Sequence, residues 1–173
     1  ISNFYSYPSF IFKTKESEQL VLEDVINISF RQVEIKYYLP DYYYDYIQKK
    51  IYCSGKPYES ELLENLNLFN LEGKTIIDVG ANIGNHALFF AKICNADKVY
   101  CFEPNPNVCQ ILDINLHLNF LTEKVKVFPI ALGNSNYNGI IQLLDPTNKG
   151  TGKVIENKNG QIKVSMLDMV LEN

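Results

Sequence analysis

Two acids and a pair of glycines stand where a parallel sheet usually does its chemistry. The run Thr75-Ile76-Ile77-Asp78-Val79-Gly80-Ala81-Asn82-Ile83-Gly84-Asn85-His86 reads as a strand, a tight turn and a buried helix. Asp78 sits at the strand's carboxyl end, and Glu103 ends a second apolar run 25 positions later. Ligands of open parallel sheets bind beyond such ends. Glycine there admits positive φ and a close approach of ligand to backbone.

The spacing discriminates among ligands. The turn is G-x-x-x-G, not the G-x-G-x-x-G of dinucleotide binders. A pyrophosphate needs helix N–H groups left free for its charge, and Asp78 would oppose that charge. An ammonium and a sulfonium are instead attracted by an acid. Glu103 can accept from both hydroxyls of a ribose. Ala131 and Leu132, after a third strand, would lie against an adenine ring. These features point to S-adenosylmethionine as cofactor. From the residues alone two other readings stay open: a structural strand–helix turn with an incidental acid, and a nicotinamide cofactor.

Displacement at a sulfonium carbon depends chiefly on alignment, and a hydroxyl acceptor gains from a nearby base. His86, just past the turn, is one candidate base, but it also reads as a first-turn residue packing the loop. Glu59 is another, with cofactor contact and helix capping as equal alternatives. His117 reads as surface. No residue is assigned as the catalytic base.

Three regions position these groups. Residues 1–57 are tyrosine-rich and read as an N-terminal cap. In it, a hairpin pairs 26–30 with 33–39, and a helix opens at Pro40-Asp41 with Tyr44, Ile47 and Ile51 on one face. Residues 58–173 read as a partial Rossmann-like core. Leu62, Leu63, Leu66 and Phe69 have helical spacing. Strands are expected at 75–79, 98–102 and 125–130, with helices at 85–93 and from Asn105-Pro106 to Leu118. Strands alternating with helices imply a parallel sheet with right-handed crossovers. Further on, 140–144 reads as a strand, and Asn159-Gly160 reads as the turn of a hairpin joining 154–155 to 162–164. The tyrosines at 37, 38, 42, 43, 44, 46 and 52 suggest a platform for sugar rings, a lid, or plain packing of the cap. Packing is the preferred reading.

Composition narrows the partners. The net charge is −4, and Arg31 is the only arginine, a poor endowment for nucleic acid. No nucleic-acid partner is therefore expected. Cys53, Cys94, Cys101 and Cys109 lack metal-ligand spacing, so no metal is expected and free thiols in a reducing cytoplasm are. No apolar run reaches the roughly 20 residues of a membrane span, and Ile1 to Phe10 do not read as a secretory signal.

At D-V-G-A-N-I-G (78–84) and F-E-P-N-P (102–106) the chain resembles the FkbM family of S-adenosylmethionine-dependent O-methyltransferases. Tyr58-Glu59, Asn85-His86, the helix end Asn115-Leu116-His117-Leu118-Asn119, Ala131-Leu132-Gly133-Asn134 and Ser165-Met166-Leu167-Asp168 extend the likeness. It implies a class I methyltransferase three-layer α/β sandwich that methylates a hydroxyl of a small molecule or glycan. By motif position Asp78, Gly80, Ala81, Asn82 and Gly84 hold the methionine end of the cofactor and Glu103 the ribose. The candidate cofactor set also takes in Glu59, Asn85, His86, Pro104, Ala131 and Leu132. The family continues past Ser165–Asp168 into an I-K-x-D-x-E-G strand, and this chain stops at Asn173. It is therefore expected to be truncated, to expose a sheet edge and to self-associate through it. The rival expectation is a non-catalytic Rossmann-like fragment serving in assembly.

Overall fold

The structure is a computed structural model that describes residues 24–66 and 68–171. Strands β1 (Val25–Phe30) and β2 (Val33–Tyr38) form an antiparallel hairpin. Arg31 and Gln32 turn it with φ of 52° and 65°. Left-handed residues at both central positions match the twist of the flanking strands. Ile28, Phe30, Ile35 and Tyr37 are buried on its inner face.

Helix α1 (Tyr46–Ser54) starts later than the Pro40-Asp41 signal suggests. Asp45 is the true cap, its carboxylate accepting the Gln48 N–H at 3.0 Å, and Gly55 ends the helix at φ 62°. Tyr44 therefore lies outside the helix and is 80% exposed, while Ile47, Gln48 and Ile51 make the buried face. Helix α2 (Ser60–Leu66) buries Leu63, whereas Leu62 and Phe69 are exposed. Their helical spacing does not produce a buried stripe, because α2 is short and ends before Phe69.

The central unit is α/β, as expected. Strands β3 (Thr75–Val79), β4 (Lys98–Phe102) and β5 (Val125–Phe128) pair in parallel in that order. Helices α3 (Asn85–Lys92) and α4 (Pro106–Leu118) connect them. Asn105 caps α4, accepting the Asn107 N–H at 3.1 Å, and Pro106 follows at the first helical position. Helix α3 buries Asn85, Ala87, Leu88, Phe89 and Ala91, in keeping with its apolar circumference. Strand β5 stops two residues short of expectation, where Pro129 removes a ladder donor. Cys94, Cys101 and Cys109 are buried thiols and Cys53 is exposed.

Two asparagines one turn apart fasten the hairpin to α4. Asn115 Oδ1 accepts the Tyr38 N–H at 2.6 Å and its amide donates to the Ile83 carbonyl. Asn119 accepts from Lys36 N–H and Lys92 Nζ and donates to the carbonyls of Lys36 and Asn115. The hairpin thus supports the Gly80–Gly84 turn through Asn115.

The remaining strands are β6 (Ala131–Leu132), β7 (Tyr137–Leu143), β8 (Gly152–Glu156) and β9 (Ile162–Ser165), in sheet order β6-β9-β7-β8. The expected 154–155/162–164 hairpin does not form. Both arms pair with the seven-residue β7, one on each side. A Cβ at Gly139 or Gly160 would lie within 2.6 Å of backbone from the facing segment. That close approach is what brings 157–160 against β7 rather than into a two-strand turn. A five-residue helix, α5 (Leu167–Leu171), follows. Among the described residues no helix is long and apolar enough to cross a membrane.

Candidate functional site

The carboxyl ends of β3 and β4 lie side by side, with Asp78 opposite Cys101 and Val79 opposite Phe102. The turn after β3 hangs from β4: the N–H groups of Gly80 and Ala81 both donate to the Phe102 carbonyl, at 2.8 and 3.1 Å. Gly80, Asn82 and Gly84 take φ of 78°, 49° and 89°. Asn82 tolerates the left-handed region by folding its own side chain back, Oδ1 accepting the Ile83 N–H at 2.7 Å.

Glu103 is the knot of the site. Its Oε2 accepts the Asn82 N–H at 3.0 Å and its Oε1 the Asn105 N–H at 2.8 Å. Each oxygen keeps a lone pair for a further donor. Burial lifts its carboxyl above the ordinary value, the two N–H groups pull it back, and the charge of Asp78 lifts it again. Cys109 donates its thiol to the Glu103 carbonyl, and burial pushes that thiol up to about 12.

Asp78 is 8% exposed, and its Oδ2 has no hydrogen-bond partner among the described residues. Burial raises its carboxyl above the ordinary value, and nearby His86 pulls it partway back. An orphaned buried carboxylate oxygen normally calls for an explanation. A cationic or hydrogen-bond-donating ligand supplies one. A Cβ built at Gly80 meets nothing within 4 Å, so the turn opens onto space on that side. On these two observations the residues fit S-adenosylmethionine.

Asn85 draws Glu59 in. Its Oδ1 accepts the Tyr58 N–H at 2.9 Å and the Tyr37 hydroxyl at 3.3 Å, and its Nδ2 donates to the Tyr58 carbonyl at 2.9 Å. Glu59, at φ 56°, then places Oε2 3.2 Å from His86 Nε2, without the alignment of a hydrogen bond.

The structure thus gathers Asp78, Gly80, Ala81, Asn82, Gly84, Asn85, His86, Glu103 and Glu59 at one end of the sheet, with Pro104 half-buried beside Glu103. Ala131 and Leu132 follow closely on the carboxyl end of β5 and pair through their backbones with Val164 and Ser165 in the four-stranded sheet. His117 is exposed, its Nδ1 2.7 Å from the Asp113 carbonyl. The sequence reading missed the segment Asp145–Gly152. A Cβ at Gly150 would lie 3.3 Å from Asn82 Nδ2, and Lys149 ion-pairs with Asp41 and donates its N–H to Asp45. Nothing in the local pattern of 145–152 signals that docking; it depends on partners far away in sequence.

The tyrosines divide. Tyr37 is fully buried, as packing would have it, but Tyr43, Tyr44, Tyr46 and Tyr52 are 71%, 80%, 44% and 46% exposed. They pack less of the cap than expected, because Tyr43 and Tyr44 fall in the turn before α1 and Tyr46 and Tyr52 on its outer face.

The profile of the TRM5/TYW2 methyltransferase domain matches residues 46–138, which span every candidate site residue. No curated protein matches. Similar solved structures include a candidate RNA methyltransferase of Pyrococcus horikoshii, 33% identical over 40% of this chain and 34% of that one, with TM-score 0.36. TYW2 of M. jannaschii in complex with AdoMet is 19% identical over 61% and 42%, with TM-score 0.43. TYW2 of P. horikoshii in complex with MeSAdo is 18% identical over 62% and 36%, with TM-score 0.46. The chain spans about a third to two-fifths of the length of these relatives.

The family match corrects two expectations. It is not to the FkbM family, which D-V-G-A-N-I-G and F-E-P-N-P suggested. A small-molecule or glycan acceptor with no nucleic acid falls with it, since the matching family points to RNA. The charge argument failed because a net −4 averages over the chain. Residues 42–57 carry three exposed lysines against one acid, the buried Asp45.

Proposed function

The chain belongs to the TRM5/TYW2 methyltransferase domain family, and on that premise we propose that it transfers the methyl group of S-adenosylmethionine to RNA, with tRNA as the substrate class. The observation that carries the reading is the family match over residues 46–138. The site chemistry agrees with it.

When bound, S-adenosylmethionine supplies a methyl group already activated on a sulfonium. Asp78 offers an unpaired, buried carboxylate oxygen to the cationic methionine end. Gly80 keeps the backbone clear beside it, and Ala81, Asn82 and Gly84 complete the turn. Glu103, fixed by two backbone N–H groups, offers its remaining lone pairs to ribose hydroxyls. Glu59 and His86 stand at the rim, half-exposed, able to receive a proton from the acceptor. Asn85 holds the Tyr58-Glu59 step against the turn.

The test is transfer of radiolabel from S-adenosylmethionine to unmodified tRNA by the full chain, with nuclease digestion of the product. Label that nuclease releases as a methylated nucleotide supports the reading. No label in tRNA, with label in a hydroxylated sugar instead, would overturn it.

A further inference from the structure

Four tyrosines with large exposed faces lie beside the site. Tyr43 and Tyr44 are 71% and 80% exposed in the turn before α1, and Tyr46 and Tyr52 lie on the outer face of that helix. Tyr42 anchors the group from beneath, stacked on Tyr52 at 4.0 Å and 17° and close to Tyr43 at 4.0 Å. The rings are therefore presented by a stacked base rather than scattered.

The surrounding charge is positive. Lys49, Lys50 and Lys56 are exposed on the same stretch, and Lys50 Nζ lies 5.3 Å from the centre of the Tyr46 ring. The two acids within residues 41–57 are already engaged. Asp45 is buried and accepts the N–H groups of Gln48 and Lys149, and Asp41 is paired with the Lys149 ammonium. The patch is also continuous with the site: Tyr46 meets Tyr58 edge-on at 6.2 Å, and Tyr58 is the residue that Asn85 clamps to the turn.

We propose that Tyr43, Tyr44, Tyr46 and Tyr52, with Lys49, Lys50 and Lys56, form a stacking platform for unpaired bases of the RNA. The inference rests on the RNA reading above and adds which surface holds the strand. Every base offers a π-face to an exposed aromatic ring, and lysines between the rings attract the connecting phosphates. An acidic polypeptide would use the lysines but leave the tyrosine faces unexplained. Bases flanking the target would rest on the platform and leave the target nucleotide near Glu59 and His86.

Fluorescence anisotropy of a labelled, unmodified tRNA transcript and of a 12-nucleotide single-stranded RNA tests this with the full chain. Tyr43→Ala with Tyr44→Ala is expected to weaken binding at least about 10-fold, since each stacked base contributes on the order of 1–3 kcal/mol. Tyr43→Phe with Tyr44→Phe should stay within about twofold, because the π-face is kept. Lys49→Glu with Lys50→Glu should weaken binding and flatten its salt dependence. S-adenosylhomocysteine affinity, measured in parallel, should not move in any of them. If the wild-type chain binds RNA and the alanine pair binds it equally well, the platform is wrong and the RNA reading stands. If the wild-type chain binds neither RNA, both fall. If the wild-type chain sediments as a dimer that the alanine pair dissolves, the face joins two copies and the proposal is overturned.

Discussion

Glu103 accepts the backbone N–H of Asn82 at 3.0 Å, so the acid that ends β4 holds in place the turn that ends β3. One carboxylate both shapes the loop and faces the ligand. Its two tasks can be separated by substitution. Glu103→Gln keeps an acceptor for one backbone N–H and should change Tm little, while weakening S-adenosylhomocysteine binding about 10-fold or more. Glu103→Ala leaves the N–H groups of Asn82 and Asn105 without partners and should also cost about 1–3 kcal/mol of stability. Thermal melts paired with calorimetric titration read both effects.

Asp78 sets stability against binding. Its carboxyl is raised by burial, so the folded chain holds that proton more tightly than the unfolded chain does. Stability of the free protein from this group is therefore lost as pH rises from the ordinary carboxylate value through the raised one. Asp78→Asn should make the free protein more stable at neutral pH and flatten that dependence. The same change should weaken S-adenosylhomocysteine at least about 10-fold. Melting curves between pH 4 and 7, with and without ligand, would show it; lower stability of the free variant at neutral pH would count against a buried, unpaired charge.

The two glycines of the turn should fail differently. At Gly84 a Cβ would sit 2.4 Å from Leu112 Cδ1 at φ 89°. Gly84→Ala is expected to cost about 2–4 kcal/mol through strain and overpacking, roughly 6–12 °C in Tm for a chain of this size. At Gly80 the φ is 78° but the space is open. Gly80→Ala should cost only about 1–2 kcal/mol and yet abolish measurable cofactor binding, because its methyl would occupy the ligand's side of the turn. Equal binding by Gly80→Ala and the wild type would remove the ligand from that side.

Asn85 couples the segment before β3 to the turn. Asn85→Ala leaves the Tyr58 N–H and carbonyl and the Tyr37 hydroxyl unpartnered and should cost about 2–4 kcal/mol. In whatever fraction stays folded, methyl transfer should fall more than S-adenosylhomocysteine affinity, since Glu59 loses its position while Asp78 and Glu103 keep theirs. Single-turnover rates set against Kd would separate the two.

Much of the fold was legible because its signals are local. Apolar runs marked β3, ended by Gly80, and β4, ended by Glu103-Pro104, and Asn105-Pro106 marked α4 by a cap and a first-turn proline. Placing Asp78 and Glu103 at adjacent strand ends needed only the rule that β-α-β strands run parallel. What was not legible depended on distant partners. Strand β9 pairs with β7 rather than with β8, because β7 offers two ladder edges, which a two-residue turn signal cannot report. Docking of Lys149 and Gly150 near Asp41 and Asn82 has no local signature either. Tyr43 and Tyr44 were read as packing the cap because tyrosine is ambivalent, and the late start of α1 leaves them in an exposed turn. The acceptor was read from whole-chain charge, which averages over the exposed lysines of α1 and its C-terminal end.

Calorimetric titration of the full chain with S-adenosylhomocysteine and, separately, with NAD tests the central claim most directly. A single S-adenosylhomocysteine site of micromolar affinity is expected, weakened at least about 10-fold by Asp78→Asn and by Glu103→Gln, with no NAD binding. Binding of NAD without S-adenosylhomocysteine, or S-adenosylhomocysteine binding indifferent to both substitutions, would contradict it.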